Sequence, residues 1–229
     1  MGMTSSRYQV PVVDLTTHIV EDRRAVVSPW GRGNSKIGPG VYTYSKRPAV
    51  TCPGASEECL AICYAIRAEQ KNEWVAKLWA SNTERGDTLP EMPPDAKLVR
   101  FHISGDFDTV RYIQNWNSLV DSYRDVTFWG YTRSWRCPDL LPALNVLHGA
   151  DNVFLWASMD QTVEEMPPYF WRRAWIEGDA RLTRDGRHYR TLDNRRAILC
   201  PEATGRLPNC ETCRFCFLPH DYDLVFPRH

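Results

Sequence analysis

The stretch L-V-R-F-H-I-S-G-D-F-D-T-V-R-Y-I-Q-N-W-N-S-L-V-D-S-Y-R-D-V-T-F-W-G-Y-T, residues 98–132, sets the fold class. Its first part, Leu98–Ser104, is a short apolar run that predicts a buried strand. Asp108 or Thr109 can cap the helix that follows, in which Tyr112, Ile113, Trp116, Leu119, Val120 and Tyr123 fall at i, i+1, i+4, i+7, i+8 and i+11 on one face. Val126–Thr132 then predicts a second strand. A strand, an amphipathic helix and a further strand make a parallel crossover unit.

The same alternation continues on both sides. Val41–Val50 predicts a strand or hairpin after a Gly/Pro-rich start, and Glu58–Gly86 one long helix, with Ala61, Ala65, Ala68, Val75 and Trp79 at helical spacing and Asn72 the polar exception. Downstream, Pro138 opens a helix that Gly149 stops, with Leu140, Leu141, Leu144 and Leu147 inside, and Asn152–Ala157 reads as a strand. Thr162 with Glu165 resembles a capping box, and Pro167-Pro168 breaks or restarts that helix before Tyr169–Glu177. Asp185-Gly186 marks a hairpin turn within Arg181–Leu192, and Arg196–Leu199 is a last strand. The expected architecture is α/β: a parallel (βα) partial-barrel-like domain over 41–200, an N-terminal extension over 1–40, and a cysteine-rich C-terminal tail over 201–229 packed on the same domain.

Composition narrows the function classes. The 229 residues carry 28 Lys plus Arg and 28 Asp plus Glu, a formal net charge of zero, which disfavours broad binding to a phosphate backbone. A hydrophobic fraction of 43% excludes a disordered or collagen-like chain. No apolar run approaches the roughly 20 residues that span a bilayer, and residues 1–13 lack a signal-peptide pattern, so no membrane and a cytoplasmic location are expected.

The compositional oddity is eight cysteines. In a reducing compartment they are not a disulfide framework. Seven fall in two groups: Cys52, Cys59 and Cys63, then Cys200, Cys210, Cys213 and Cys216, and both groups open with C-P-x-A-[S/T]. Cys137 stands alone, as a packing or capping residue. Cys210-x2-Cys213-x2-Cys216 suits the corners of a [4Fe–4S] cubane better than zinc, which usually takes two separated pairs, and Cys200-Pro201 or Cys52-Pro53 supplies a remote fourth ligand. Zinc is the alternative metal. Cys52-x6-Cys59-x3-Cys63 is looser; three ligands would leave one iron open to a substrate, and one cluster drawing on both groups is the competing arrangement.

In a parallel α/β fold the strand exits share one rim, where binding sites form. That rim would gather Cys52, the Ser104–Asp108 run, Tyr131–Arg133, Ser158–Asp160 and Cys200. On the strand before Gly105, Arg100, His102 and Ser104 are expected on one face. Gly105 with Asp106, His102 and Arg133 are therefore candidate cofactor contacts; the plainer alternatives are a turn and helix cap, a satisfied core histidine and a solvated charge. Trp74, Trp79 and Trp116 are read as core, and the Arg-rich stretch 181–196 as a solvated hairpin rather than a local nucleic-acid patch.

Four segments, T-C-P-G-A-S-E-E-C-L-A-I-C-Y-A (51–65), R-F-H-I-S-G-D-F (100–107), F-W-G-Y-T-R-S-W (128–135) and C-P-E-A-T-G with C-E-T-C-R-F-C-F (200–217), together resemble the phage "gene product 88" family over about residues 34–218. The resemblance implies a phage-encoded protein acting in a bacterial cytoplasm and says little about activity. More distantly, the layout is similar to a radical-SAM partial barrel. That resemblance would place Cys52, Cys59 and Cys63 at the S-adenosylmethionine-binding cluster and Gly105-Asp106 at the methionine-binding motif, although Ile66 stands where its C-x3-C-x2-C needs a third cysteine. The expectation is an iron–sulfur protein with one or two clusters, catalytic as a redox or SAM-dependent enzyme on a small-molecule substrate. The alternative is a non-catalytic module, stapled by Fe–S or zinc, that binds a host protein or nucleic acid.

Overall fold

A computed structural model describes residues 28–162, 164–186 and 188–228; the readings made on residues 1–27 lie outside them. Ten strands form one sheet: β1 (Gly31–Arg32), β2 (Val41–Tyr44), β3 (Leu98–Phe101), β4 (Thr127–Thr132), β5 (Val153–Ser158), β6 (Arg172–Ile176), β7 (Leu182–Asp185), β8 (His188–Thr191), β9 (Arg196–Leu199) and β10 (Asp223–Phe226). Their spatial order is β1-β2-β3-β4-β5-β6-β10-β9-β8-β7. The β1–β2, β7–β8 and β8–β9 pairs are antiparallel, and the remaining neighbours are parallel. The helices are α1 (Glu57–Ala61), α2 (Tyr64–Lys71), α3 (Glu73–Glu84), α4 (Val110–Ser122), α5 (Leu141–His148) and α6 (Cys210–Cys213).

Strands β2 to β6 lie in sequence order. Right-handed crossovers between strands added in one direction put their helices on one face of the sheet. The packing agrees. Tyr112, Ile113, Trp116 and Val120 of α4 and Leu144 and Leu147 of α5 join Val99, Phe101, Phe128 and Leu155 in one core. On the opposite face Val41, Trp129, Trp156, Ala174 and Leu224 form a second core, whose cover is Cys200, Cys216 and Phe217 of the C-terminal segment together with Ile37. Alternation along each strand divides the side chains: Phe128 faces the helices and Trp129 the tail, Leu155 the helices and Trp156 the tail. No helix long and apolar enough to cross a membrane occurs among the described residues.

The mixed α/β class stands, with a large, mostly parallel sheet. Its order runs from β1 at one end to β7 at the other, so the order does not close it into a barrel. The expected long helix over 58–86 is three helices. Asn72 is the reason for the second break: in extended conformation, it caps α3 by accepting from the Val75 amide at 3.1 Å. The first break falls at Ile62 and Cys63, and Cys63 is the extended residue from which α2 starts. The strand predicted over 41–50 stops at Tyr44.

No helix forms over 169–177. Arg172–Ile176 is instead β6, with Arg173, Ala174 and Trp175 buried between β5 and β10. Thr162 does not cap a helix; its amide and hydroxyl both donate to Asp160. Trp74, read as core, is exposed on α3, whereas Trp79 and Trp116 are buried. The Asp185-Gly186 hairpin is present between β7 and β8. Within the predicted tail, β10 inserts between β6 and β9.

Two glycines separate backbone strain from crowding. Gly105 has φ +74°, and a Cβ there would lie 2.6 Å from Thr51 Oγ1 and 3.0 Å from the Lys46 carbonyl carbon. Gly86, at φ +61°, has nothing within 4 Å of that position. Gly86→Ala should therefore cost about 1 kcal/mol in chemical denaturation from left-handed strain alone, and Gly105→Ala at least about 1 kcal/mol more. Equal losses would show that the Lys46–Thr51 backbone yields freely.

Candidate functional site

The N-terminal cysteines, Cys52 on a loop, Cys59 in α1 and Cys63 between α1 and α2, belong to a segment pressed against the exit of β4 at Gly54. A Cβ on Gly54 would fall 2.1 Å from the Arg133 carbonyl oxygen, so only glycine permits this approach. Arg136 Nη1 donates to the Gly54 carbonyl at 2.9 Å. Ser56 caps α1 by accepting from the Cys59 amide at 3.1 Å, and its hydroxyl donates to Asp160 Oδ2 at 2.7 Å. Asp160, 1% exposed, also pairs with Arg133. Burial pushes the Asp160 carboxyl up, but Thr162, Ser56 and the Arg133 guanidinium outweigh it and hold the group below its ordinary value. Arg133 is thereby fixed beside Cys59, where it opposes the upward push of burial on the thiol. Burial raises Cys52 to about 12, and the charges of Asp106, Cys59 and Cys63 add to it. These three cysteines are thus in mutual electrostatic reach.

Asp106 organises the rim from within. Its carboxylate accepts from the Phe107, Arg133 and Ser134 amides and from Thr132 Oγ1, at 2.6 to 3.2 Å. Its own amide donates to the Thr51 carbonyl at 3.0 Å. One buried residue therefore joins the exits of β3 and β4, through its carboxylate, to the segment leading into Cys52, through its amide. Both Asp106 oxygens are engaged in this way, with Gly105 supplying the left-handed turn.

Arg100 and His102 do not share a face. His102 has φ +41°, which ends β3 at Phe101 and turns the imidazole toward the helices. There Nε2 lies 2.9 Å from the Tyr112 hydroxyl, and the ring stands edge-on to Phe107. Burial, with Lys46 nearby, lowers its pKa to about 3. Arg100 stays on the tail-side face, 5.3 Å from the centre of the Tyr131 ring. Its Nε is sealed from solvent without a partner. Among the described residues no hydrogen bond or ion pair to the Arg100 side chain is found, while Cys210 and Cys216 lie within its electrostatic reach.

The C-terminal cysteines are brought over that face by the tail. Cys200 follows the last residue of β9, and its Sγ accepts from the Ala203 amide at 3.5 Å. Asn209 caps α6, accepting from the Thr212 amide, and Arg214 in left-handed conformation turns the chain into the 215–217 turn. Cys210 and Glu211 donate their amides to the Lys36 and Ile37 carbonyls, while Glu211 Oε2 accepts from the Gly40 amide at 3.1 Å. A Cβ on Gly38 or Gly40 would meet the Glu211 side chain at 2.4 Å, which accounts for the Gly-rich start. Trp156 Nε1 donates to the Cys216 carbonyl at 2.9 Å, the Tyr131 hydroxyl lies 2.8 Å from Cys216 Sγ, and Phe217 packs on Trp129. Burial raises Cys210 to about 11 and Cys216 to about 12; Cys200 adds to the shift in both, and Cys213 in Cys210. Cys200, Cys213 and Cys216 thus lie within electrostatic reach of one another through Cys210.

Among the described residues no group of three or more His, Cys, Asp or Glu side chains is set to hold a metal ion. All eight cysteines are free thiols. Cys137 is half-buried against the helix-side core, its carbonyl accepting from Leu140 and Leu141. The sequence pattern singled out the cysteines, Asp106 and Arg133. It did not show the Ser56–Asp160–Arg133 chain of contacts, nor the isolation of Arg100, because both depend on which rim residues meet across strands.

Fold and site together define a mixed α/β protein with two thiol groups, one at a strand-exit rim and one on a tail over the sheet. The chain belongs to the Gene product 88 family, whose profile matches residues 24–218. It is similar to the Gene 88 protein of Mycobacterium phage D29, 30% identical over 102 residues that cover 36% of this chain and 42% of that protein. It is likewise similar to the Gene 88 protein of Mycobacterium phage L5, 29% identical over 131 residues, 48% of this chain and 52% of that protein. The chain thus spans about half the length of the curated relatives it matches. No solved structure matches it.

Because His102 is held neutral by burial, the unfolded chain binds its proton first as pH falls. Stability should decline by up to about 1.4 kcal/mol per pH unit from 6.5 down to about 3. His148, lowered to about 4 by burial, contributes in the same window. Urea unfolding across this range should show a shallower slope for His102→Asn, chosen because Asn tolerates the left-handed backbone. An unchanged slope would mean that the native protein accepts the proton on His102.

Proposed function

We propose that Cys200, Cys210, Cys213 and Cys216 hold a [4Fe–4S] cluster and that Cys52, Cys59 and Cys63 form a second cluster site with one iron open to a ligand. The observation that carries this reading is Arg100: a guanidinium with a sealed, unpartnered Nε, facing Cys210 and Cys216 with no carboxylate paired to it. An unpaired cation in such a place is costly. Four thiolates around an iron–sulfur core carry net negative charge and supply the missing counter-charge. The C-x2-C-x2-C spacing favours a cubane over zinc, whose thiolates crowd one ion at about 2.3 Å.

Bound there, a cluster supplies one-electron chemistry whose potential responds to nearby charge and to hydrogen bonds at sulfur. Arg100 provides the charge, and the Tyr131 hydroxyl beside Cys216 the hydrogen bond. The three-thiol group, with Arg133 beside Cys59, is where a small-molecule substrate or S-adenosylmethionine would meet an open iron, if the sheet curves as a partial barrel does. A bacterial host cytoplasm, which keeps thiols reduced, is the compartment this reading requires. The seating of the tail on Trp129 and Trp156 favours a second role for the same metal, as a staple holding that segment to the sheet.

Anaerobically isolated protein should contain iron and acid-labile sulfide in near-equal amounts. Cys213→Ser or Cys216→Ser should lower bound iron and thermal stability together, because ligand loss couples to folding. Arg100→Met should shift the reduction potential to a more negative value. The triple Cys52/Cys59/Cys63→Ser variant should keep about half of the iron if each group holds a cluster, since the ligand sets are separate. Zinc without sulfide, or metal content unchanged by the C-terminal substitutions, would contradict the proposal.

A further inference from the structure

A second site lies away from the thiol groups, at the other ends of the strands. A cleft of ≈ 780 Å³ opens where β5, β6 and β9 begin, next to the segment that leads into β10. This lies in the size range of small-ligand sites. Three arginines line it, Arg172, Arg195 and Arg196, against one carboxylate, Asp221. Arg172 uses its Nη atoms on the Leu218 and Cys216 carbonyls and on His220, and its Nε has no partner among the described residues. Arg195 lies 3.5 Å from the buried Asp223 carboxylate. Arg196 is exposed, and among the described residues its side chain has no hydrogen bond or ion pair. The cleft therefore holds surplus positive charge although the chain as a whole is neutral.

Beside this charge stands an aromatic wall. Tyr169 and Phe170 line the cleft at 87% and 51% exposure. They are not loosely placed: Arg195 donates to the Tyr169 and Trp171 carbonyls, and the His148 ring stacks on Trp171 at 4.7 Å and meets Phe170 at 5.6 Å. Large aromatic rings at a surface, on a backbone held by hydrogen bonds and next to the unpaired guanidinium of Arg196, suit a ligand that is itself flat, aromatic and anionic.

We propose that this cleft binds a nucleotide unit of single-stranded nucleic acid, its base on the Tyr169–Phe170 wall and its flanking phosphates at Arg172 and Arg196. Only a local stretch of strand is engaged, which is compatible with zero net charge. The cleft uses no cysteine side chain, so it is tested apart from the iron–sulfur reading even though Arg172 also holds the Cys216 carbonyl.

The test is fluorescence anisotropy of a labelled oligothymidylate with the full-length chain. Neutralising two phosphates predicts that a fourfold rise in salt weakens binding about sevenfold. Phe170→Ala and Arg196→Ala change exposed side chains and should fold normally. Each should weaken binding about tenfold, within the range for loss of one stacked base or a phosphate contact. Unlabelled thymidine monophosphate and polyglutamate are the competitors. Displacement by the mononucleotide at similar concentration per site assigns the cleft to free nucleotides, and displacement only by the oligomer assigns it to a strand; both sustain nucleotide recognition. No binding, equal displacement by polyglutamate, or affinity unchanged in both variants would overturn it.

Discussion

Laying parallel strands down in sequence order leaves one face of a sheet without helices, and in this protein the remaining structure answers that constraint. The crossovers place α4 and α5 over one face, where Trp116, Phe101 and Phe128 pack edge to face and in parallel. The other face is just as apolar, with Trp129 and Trp156 at its centre. Its cover is a segment whose regular structure is one four-residue helix and one short turn. Such a segment forms too few internal hydrogen bonds to order itself. It is held by what it touches: the glycine-rich loop at 36–40, the Trp156 indole, the Tyr131 hydroxyl and, on the proposed reading, a metal cluster at its four cysteines.

The same geometry brings Arg100 under the tail. A guanidinium on a sheet face is ordinarily paired with a carboxylate, as Arg173 is with Asp223 at 2.7 Å on the same sheet. Around Arg100 the neighbouring polar groups are phenols and thiols. Electrostatics and topology thus converge, since the face that lacks helices is also the face that carries a cation in want of an anion. At the rim the logic differs. Asp106 and Asp160 are fully engaged in hydrogen bonds, and their work is to hold Arg133 and the Cys52–Cys63 loop in register.

Much of this was legible in the sequence where periodicity is strong. The α4 face, the four strand cores from β3 to β5 and β9, and the hairpin at Gly186 all follow from local pattern. The errors arise where one residue overrides it. Asn72 looked like a polar exception inside a helix, but its side chain is a cap, and a cap ends one helix and starts the next. His102 continued the alternation of β3 on paper, yet its left-handed backbone sends it to the opposite face from Arg100. The helix expected at 169–177 failed because Arg172–Ile176 is taken into the sheet between β5 and β10, a tertiary pairing that overrides local pattern. The two cysteine groups were visible as spacing; their seating on Gly54, Gly38 and Gly40 depends on approaches between segments far apart in the chain.

On the proposed reading the C-terminal thiols close around a polynuclear iron centre that also neutralises Arg100. X-ray absorption on the anaerobically isolated full-length protein tests it directly. An iron edge with a sulfur shell and an additional iron–iron scattering path is the result the account predicts. A zinc edge with sulfur neighbours alone, or an iron signal lacking the iron–iron path, would contradict it.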